Sequence, residues 1–347
     1  MSDCCTQLKS ADEGAGIPRR TLLTGAAAIA GAAATMGASE ARADDSKPIK
    51  LAFCSQLLCI IPYTVALSQG YFKKEGLNVQ LVYSKGGNDA MQALVGGAVD
   101  YGATSLDVAI QAYAHGAKIR RFASTGKLPL FALAVAPKSA GAINDVKDLE
   151  GKTVGVSALG NADHALALYL LKQANADASK VKFANMGTNL FEALRQGAID
   201  AGMVQEPALT LVVKSGGKVL VNAMMSADAQ KYLGGNYEFM GVAVRADEFD
   251  ARRAQMTALT KALAGALVAV QSATPDELVA SLPPEMTTGA DTGEMKDILA
   301  KYRSSLYPTM VSIDKSAADR VTQTLRVGGL LPADAQVSGL FDYSFAG

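Results

Sequence analysis

The sequence predicts an α/β protein of two similar lobes, each a mostly parallel sheet flanked by helices, facing one another across a cleft. Three observations carry this reading. A unit is duplicated one hundred residues apart, since Ala93 to Gly102 (ALVGGAVDYG) returns as Ala193 to Gly202 (ALRQGAIDAG), and an internal repeat fixes architecture. Short β-branched or alternating stretches interchange with helical ones along the chain, the pattern of parallel sheets covered by helices. Two extended stretches, Phe131–Ala136 and Phe239–Arg245, read as crossovers between the lobes.

In each copy of the repeat a helical segment stops at a glycine, Gly97 or Gly197, suited to the left-handed residue that follows a helix. A strand then runs into polar residues, Thr104-Ser105 in one copy and Gln205-Glu206 in the other. The remaining elements fall in order around these units. Ile49–Phe53 is a first strand, Cys54–Ile61 its loop, and Pro62 begins a helix that stops near Gly70. Asn78–Tyr83 alternates as a strand, and Ser84–Asn88 opens the helix that ends at Gly97. Leu106–His115 is helical and Ile119–Ser124 is the next strand. After the first crossover, Thr153–Ser157 starts a second lobe, followed by a helix from Asn161 to Leu171, a strand at Val181–Ala184 and the repeat helix at Leu190–Gln196. Lys218–Asn222 closes that lobe. Helices at Asp247–Ala273, Thr292–Leu306 and Asp314–Val327 complete the chain, and are expected to pack back on the first lobe.

The first 43 residues read as an export signal rather than fold. Arg19-Arg20 precedes Leu22-Leu23 and an Ala/Gly-rich run, with Ala41-Arg42-Ala43 as the cleavage pattern, and paired arginines point to twin-arginine export. The expected organisation is a signal at 1–43, the first part of lobe one at 44–136, lobe two at 137–238, and a return crossover with C-terminal helices at 239–347. The 347 residues carry 33 basic and 33 acidic side chains. Removal of residues 1–43 leaves the charge at zero, which argues against a nucleic-acid partner. Of the four cysteines, Cys54 and Cys59 follow the signal; they pair or stay free, and their spacing decides neither. No P-loop or Ser/His/Asp signature is present.

Open α/β sheets take ligands at strand C-termini and helix N-termini, where free N–H groups and the helix dipole favour negative charge. In lobe one this selects Ser55, Gln56, Gly86, Gly87, Asn88, Thr104, Ser105, Ser124 and Thr125. In lobe two it selects Ser157, Gly160, Asn161, His164, Gly187, Thr188, Gln205 and Glu206. Lys85, Lys127 and His164 are the cationic groups nearby, so a small oxyanion held by N–H and hydroxyl groups fits better than a polyanion wanting Arg clamps. His115, beside Gly116 at a helix end, reads as structural. Cys54, Cys59 and His164 do not complete a metal set, and no cofactor is expected.

The twin-arginine leader, Gly70-Tyr71-Phe72-Lys73-Lys74-Glu75-Gly76-Leu77, Gly97-Ala98-Val99-Asp100-Tyr101-Gly102, Asp148-Leu149-Glu150-Gly151-Lys152 and Glu206-Pro207 together resemble the nitrate/sulfonate/taurine/bicarbonate-type periplasmic binding proteins. The resemblance covers roughly Ile49 to Val270. It implies the type II periplasmic binding protein fold, with two crossovers and closure on a ligand. It also implies a non-catalytic monomer in the periplasm that hands its solute to the permease of an ABC importer. Some anion-binding members place a His in the region of His164, which otherwise caps its own helix. The Glu206-Pro207 pair is common in the family, and Glu206 is read as a rim contact, lining the hinge or meeting a cationic part of a zwitterion. The alternatives are a receptor feeding a sensor kinase, or an enzyme like the related fungal thiamine-pyrimidine synthases. Those carry a cysteine-rich iron motif, a cofactor lysine and a sacrificial histidine, whereas this chain has no cysteine after Cys59.

Overall fold

The computed structural model describes residues 47–345. The twin-arginine pair, the apolar run and the cleavage pattern at 41–43 lie outside the described residues. The chain proceeds through β1 (Ile49–Cys54), α1 (Leu57–Ser68), α2 (Tyr71–Lys74), β2 (Val79–Ser84), α3 (Gly87–Val95), β3 (Tyr101–Ser105), α4 (Leu106–Ala114) and β4 (Ile119–Ser124). It continues through β5 (Ala132–Val135), β6 (Thr153–Val156), α5 (Ala162–Gln173), β7 (Lys182–Asn185), α6 (Leu190–Arg195), β8 (Ala201–Val204), α7 (Ala208–Lys214), β9 (Lys218–Asn222) and α8 (Ser226–Asp228). It ends with β10 (Met240–Arg245), α9 (Arg253–Ser272), α10 (Pro275–Ala280), α11 (Pro284–Thr287), α12 (Thr292–Leu306) and α13 (Lys315–Val327).

Two five-stranded sheets result, ordered β2-β1-β3-β10-β4 and β7-β6-β8-β5-β9. They are built alike: β1 runs parallel to β2 and β3, as β6 does to β7 and β8. Each sheet takes one antiparallel strand from a crossover, β10 between β3 and β4, and β5 between β8 and β9. The first crossover strand therefore belongs to the second sheet, and the passage between sheets falls before Ala132 rather than at residue 136.

The duplication extends to individual hydrogen bonds. Gly97 and Gly197 are both left-handed, with φ of +76° and +68°, and Ala98 and Ala198 each donate to the carbonyl five residues back at 2.9 Å. Asp100 then bridges to Lys50, accepting its N–H at 2.8 Å and donating its own to the Lys50 carbonyl. Asp200 does the same with Thr153. The second glycine of each copy lets the helix close on the strand: a Cβ at Gly102 would meet Leu94 at 3.2 Å, and one at Gly202 would meet Leu190 at 3.1 Å.

The first helix departs from the sequence expectation. It begins at Leu57, not at Pro62, and carries Pro62 inside. Proline lacks the N–H that would bond the carbonyl four residues back, here Leu58. The Tyr307 hydroxyl, just past α12, donates to that carbonyl at 2.8 Å, so the buried acceptor keeps a partner.

The C-terminal helices also differ from expectation. α9 buries Met256, Leu259, Leu263, Leu267 and Val270 along one face and packs on α1 and α2 of the first lobe. Each such side chain contributes roughly 1.5–3 kcal/mol when fully buried. However, α12 and α13 reach the second lobe. The Tyr302 hydroxyl donates to Glu206 Oε1 at 3.0 Å, Ser305 Oγ donates to the Met224 carbonyl, and α13 packs on both α4 and α5. No helix among the described residues is long and apolar enough to cross a membrane.

Candidate functional site

The C-terminal ends of β1, β2 and β3 face those of β6, β7 and β8 across one cavity of about 490 Å³. Four helices start on its wall, α1 at Gln56, α3 at Gly86, α4 at Ser105 and α5 at Asn161. None of these four N-cap residues makes a side-chain capping bond. Side-chain caps stand at α10, α12 and α13, from Thr274, Asp291 and Asp314, while α2, α6, α7, α8, α9 and α11 lack one as the four cavity helices do. The first turn of a helix leaves N–H groups without helical partners. At α4 the Leu106 N–H is taken by the Phe239 carbonyl at 2.8 Å, and α3, α4 and α5 carry Asp89, Asp107 and Asp163 in their first turns. Four positive dipole ends thus meet the cavity with their donors only partly free.

The two crossovers contribute the apolar wall. Phe131 precedes β5 and Phe239 precedes β10; their rings meet edge to face at 5.8 Å, and both line the cavity with Val108 and Met240. Beneath this wall lies a buried ion pair. Arg121 of β4 contacts Glu238 at 3.2 Å and donates to the carbonyls of Thr104 and Phe239 at 3.0 and 2.9 Å. It thus fixes the end of β3 and the start of the return strand together. Burial pushes the Glu238 carboxyl up, opposed by the Arg121 charge.

Three charged side chains line the cavity, Lys85, Asp89 and Asp163. Asp163, in the first turn of α5, accepts from the N–H and hydroxyl of Ser157. Burial pushes its carboxyl up to about 6 despite those bonds.

Of the sequence-selected residues, Gln56, Gly86, Gly87, Asn88, Thr104, Ser105, Ser157, Asn161, Gly187, Thr188 and Gln205 are brought together on the cavity wall. Ser55, Ser124, Thr125, Gly160, His164 and Glu206 are not among its lining residues. The Ser55 hydroxyl turns back to the Ser84 carbonyl. Ser124 and Thr125 are buried, the latter bonded to the Tyr63 hydroxyl at 2.7 Å. The Gly160 carbonyl accepts from Gln111 of α4 at 2.8 Å, and its N–H donates to His164 Nδ1 at 3.0 Å.

His164 therefore steadies the loop before its own helix and packs edge to face on Phe183; burial lowers its pKa and keeps that nitrogen an acceptor. Glu206 is not a rim contact. It is buried, accepts from Tyr302 and from the Thr210 N–H at 3.0 Å, and so starts α7 and anchors α12. Lys127 lies off the cavity, and burial lowers its pKa.

Cys54 and Cys59 are joined in a disulfide and both line the cavity. The sequence reading also passed over Asp163, Phe131 and Phe239. The last two had a signal: a phenylalanine opens each crossover, a second repeat within the chain. No group of three or more His, Cys, Asp or Glu side chains among the described residues is placed to hold a metal ion.

The sequence profile of the family described as NMT1/THI5 like matches residues 59–277. A 4-amino-5-hydroxymethyl-2-methylpyrimidine phosphate synthase of Aspergillus parasiticus is 30% identical over 142 residues, 41% of this chain and 41% of that protein. The chain thus spans about two fifths of the length of the curated relatives it matches. Among solved structures, a protein of Bordetella bronchiseptica RB50 superposes with a TM-score of 0.74 at 25% identity, over 86% of this chain and 95% of that one. The periplasmic aliphatic sulphonate binding protein SsuA of Escherichia coli superposes with a TM-score of 0.67 at 20% identity, over 84% and 91%. The fold is that of the type II periplasmic binding proteins.

Proposed function

The chain belongs to the NMT1/THI5-like family, and from that premise we propose that it is an exported, monomeric solute receptor that captures an organic anion between its lobes and delivers it to an ABC importer. The observation that carries this reading is the convergence of four helix N-termini, without side-chain caps, on one cavity. Backbone N–H groups at positive dipole ends suit a sulfonate or carboxylate head. The 490 Å³ volume is that of an organic-ligand site and is far more than a bare inorganic oxyanion fills. Phe131, Phe239, Val108 and Met240 offer an apolar wall for the body of such a ligand. The name of the Escherichia coli neighbour, an aliphatic sulphonate binding protein, agrees with that class. The head is assigned to Gln56, Gly86, Gly87, Asn88, Thr104 and Ser105 on one side, and to Ser157, Asn161, Gly187, Thr188 and Gln205 on the other. No cofactor and no nucleic acid enter this function.

The test is a thermal-shift screen of the full chain against alkyl and aryl sulfonates, taurine, nitrate, bicarbonate, aromatic carboxylates and thiamine pyrimidines, read with an extrinsic dye because the sequence has no Trp. A solute at a hundredfold over its Kd stabilises by about 2.7 kcal/mol. A panel without a hit, from protein shown by mass spectrometry to carry no bound solute, refutes the reading.

One observation favours an enzyme instead, the likeness to the pyrimidine phosphate synthases. Pyridoxal phosphate that remains with the protein after dialysis, seen by its absorbance, would support that reading over the receptor.

A further inference from the structure

Two sulfur atoms of the cavity wall are left unused by ligand capture. Cys54 ends β1 and Cys59 lies in the first turn of α1; their disulfide faces the cavity. The residues are only 8% and 3% exposed, and the cavity is the space they line. The cysteines stand five positions apart, and closing so short a loop constrains the unfolded chain little. What the bridge holds is local. It pins the bend at Ser55-Gln56, where Gln56 lines the cavity and starts α1 with its side chain uncommitted to capping. The bend is otherwise held by the Ser55 N–H and hydroxyl on the Ser84 carbonyl, at 3.0 and 2.8 Å. On its other side Cys59 Sγ lies 3.7 Å from Met240 Sδ, a second residue of the wall.

We propose that the Cys54–Cys59 disulfide is a thiol-exchange site reached through the cleft, where a small dithiol opens the bridge and loosens the Gln56 end of the cavity. A thiolate of the dithiol attacks Sγ of Cys54, the more exposed of the two residues, forming a mixed disulfide. The Cys54–Cys59 bond breaks and its electron pair leaves on Cys59, which stands in the first turn of α1 at the positive end of the helix dipole. The second thiol of the reductant then displaces Cys54, and the reductant departs as a cyclic disulfide. Its two protons end on the two cysteines, and two electrons have passed to the bridge. Weaker ligand capture after reduction rests on the receptor reading; the exchange itself rests on the geometry of the wall.

The experiment treats the oxidised full chain with dithiothreitol under native conditions, quenches with iodoacetamide, and maps alkylation by peptide mass spectrometry, so that Cys4 and Cys5 are read separately. Cys54 and Cys59 should be alkylated together far faster than the protein unfolds. A plug in the cleft, Gly87→Trp from one lobe or Thr188→Trp from the other, should slow the reaction by about tenfold, since exchange follows access to the sulfur. In the reduced protein, amide exchange at Cys59 and Ile60, whose N–H groups donate to the Gln56 carbonyl at 2.9 and 3.3 Å, should rise by about tenfold, while Ala165, bonded to the Asn161 carbonyl at 3.0 Å at the start of α5, keeps its protection. Reduction only at the global unfolding rate, or unchanged rates in both folded plug variants, overturns the proposal, as does unaltered exchange at Cys59 and Ile60. A solute screen without hits beside the expected reduction pattern removes the receptor reading and leaves the exchange site. A bound solute beside an inert bridge does the reverse.

Discussion

The Tyr307 hydroxyl donates to the Leu58 carbonyl at 2.8 Å across 249 positions of sequence, and that carbonyl is the one Pro62 deprives of its helical partner. The bond ties the end of α12 to α1, the helix that carries Cys59 and starts at Gln56 on the cavity wall. Because α12 also holds Glu206 through Tyr302, one helix touches the ligand-facing elements of both lobes.

Tyr307→Phe should destabilise the protein by about 1–3 kcal/mol, the cost of leaving a buried acceptor unpaired, measured by urea unfolding. Pro62→Ala returns an N–H to the Leu58 carbonyl, so in that background the same Tyr307→Phe change should cost less than about 1 kcal/mol. Equal costs in the two backgrounds would show that Leu58 is not the relevant partner.

This pair also marks where the sequence stops being legible. Gly97 with Gly197 and Asp100 with Asp200 announce both lobes, because their bonds are local or reach one neighbouring strand. The loops at strand ends follow from that topology, and most of them line the cavity. Pro62 reads as a helix start because proline suits a first turn; only a tyrosine far along the chain makes it acceptable in a helix interior. Glu206 reads as a cleft residue for a similar reason, since its partner Tyr302 lies in a helix the sequence assigns to the other lobe. Phe131 and Phe239 are hidden among core residues, since an apolar side chain on a ligand wall has the same composition as one in a core.

Asp107 and Asp163 should shape the dependence of stability on pH. Burial pushes Asp107 up to about 7 and Asp163 up to about 6, from an ordinary value of 3.8. Tyr237 donates to one Asp107 oxygen at 2.6 Å, the other oxygen has no partner, and the nearby Arg121 charge only partly compensates. A carboxyl with a raised folded value holds more protons folded than unfolded, so stability falls as pH rises from 3.8 toward the folded value and is level above it. Asp107→Asn should flatten that fall, by up to about 1.4 kcal/mol per pH unit, in urea unfolding followed from pH 4 to 8. Parallel profiles for the two proteins would mean that Asp107 titrates normally.

The charge of the ligand is testable at Lys85 and Asp89, which lie within five residues of each other on the cavity wall. For an anionic solute found in the screen, Lys85→Glu should weaken binding and Asp89→Asn should strengthen it. Each effect should be about 0.5–1 kcal/mol, since both side chains are exposed to solvent. Isothermal titration calorimetry gives the signs directly, and reversed signs identify a cationic ligand.

Gln111 and Gly160 join the lobes on one side of the cleft, and this contact should set how far the unliganded protein opens. Gln111 of α4 donates to the Gly160 carbonyl at 2.8 Å, while the Gly160 N–H is held by His164 Nδ1. Gln111→Ala removes the contact without disturbing either core, and a hydrogen bond of this kind contributes about 0.5–1.5 kcal/mol. That is enough to shift an opening equilibrium several-fold, seen as a larger radius of gyration in small-angle scattering of the ligand-free protein. Acid should act on the same contact through His164. Its pKa is lowered by burial from an ordinary value of 6.5, so the folded loop binds fewer protons than the unfolded one. The loop's contribution is then complete above 6.5 and diminishes as pH falls through the lowered value, because a protonated Nδ1 no longer accepts from Gly160. The wild-type protein should therefore expand on acidification toward the dimensions of Gln111→Ala, while the variant changes little. A wild-type radius that stays constant from pH 8 to 5, alongside an unchanged radius for the variant, would leave the lobes held by the α12 and α13 contacts alone.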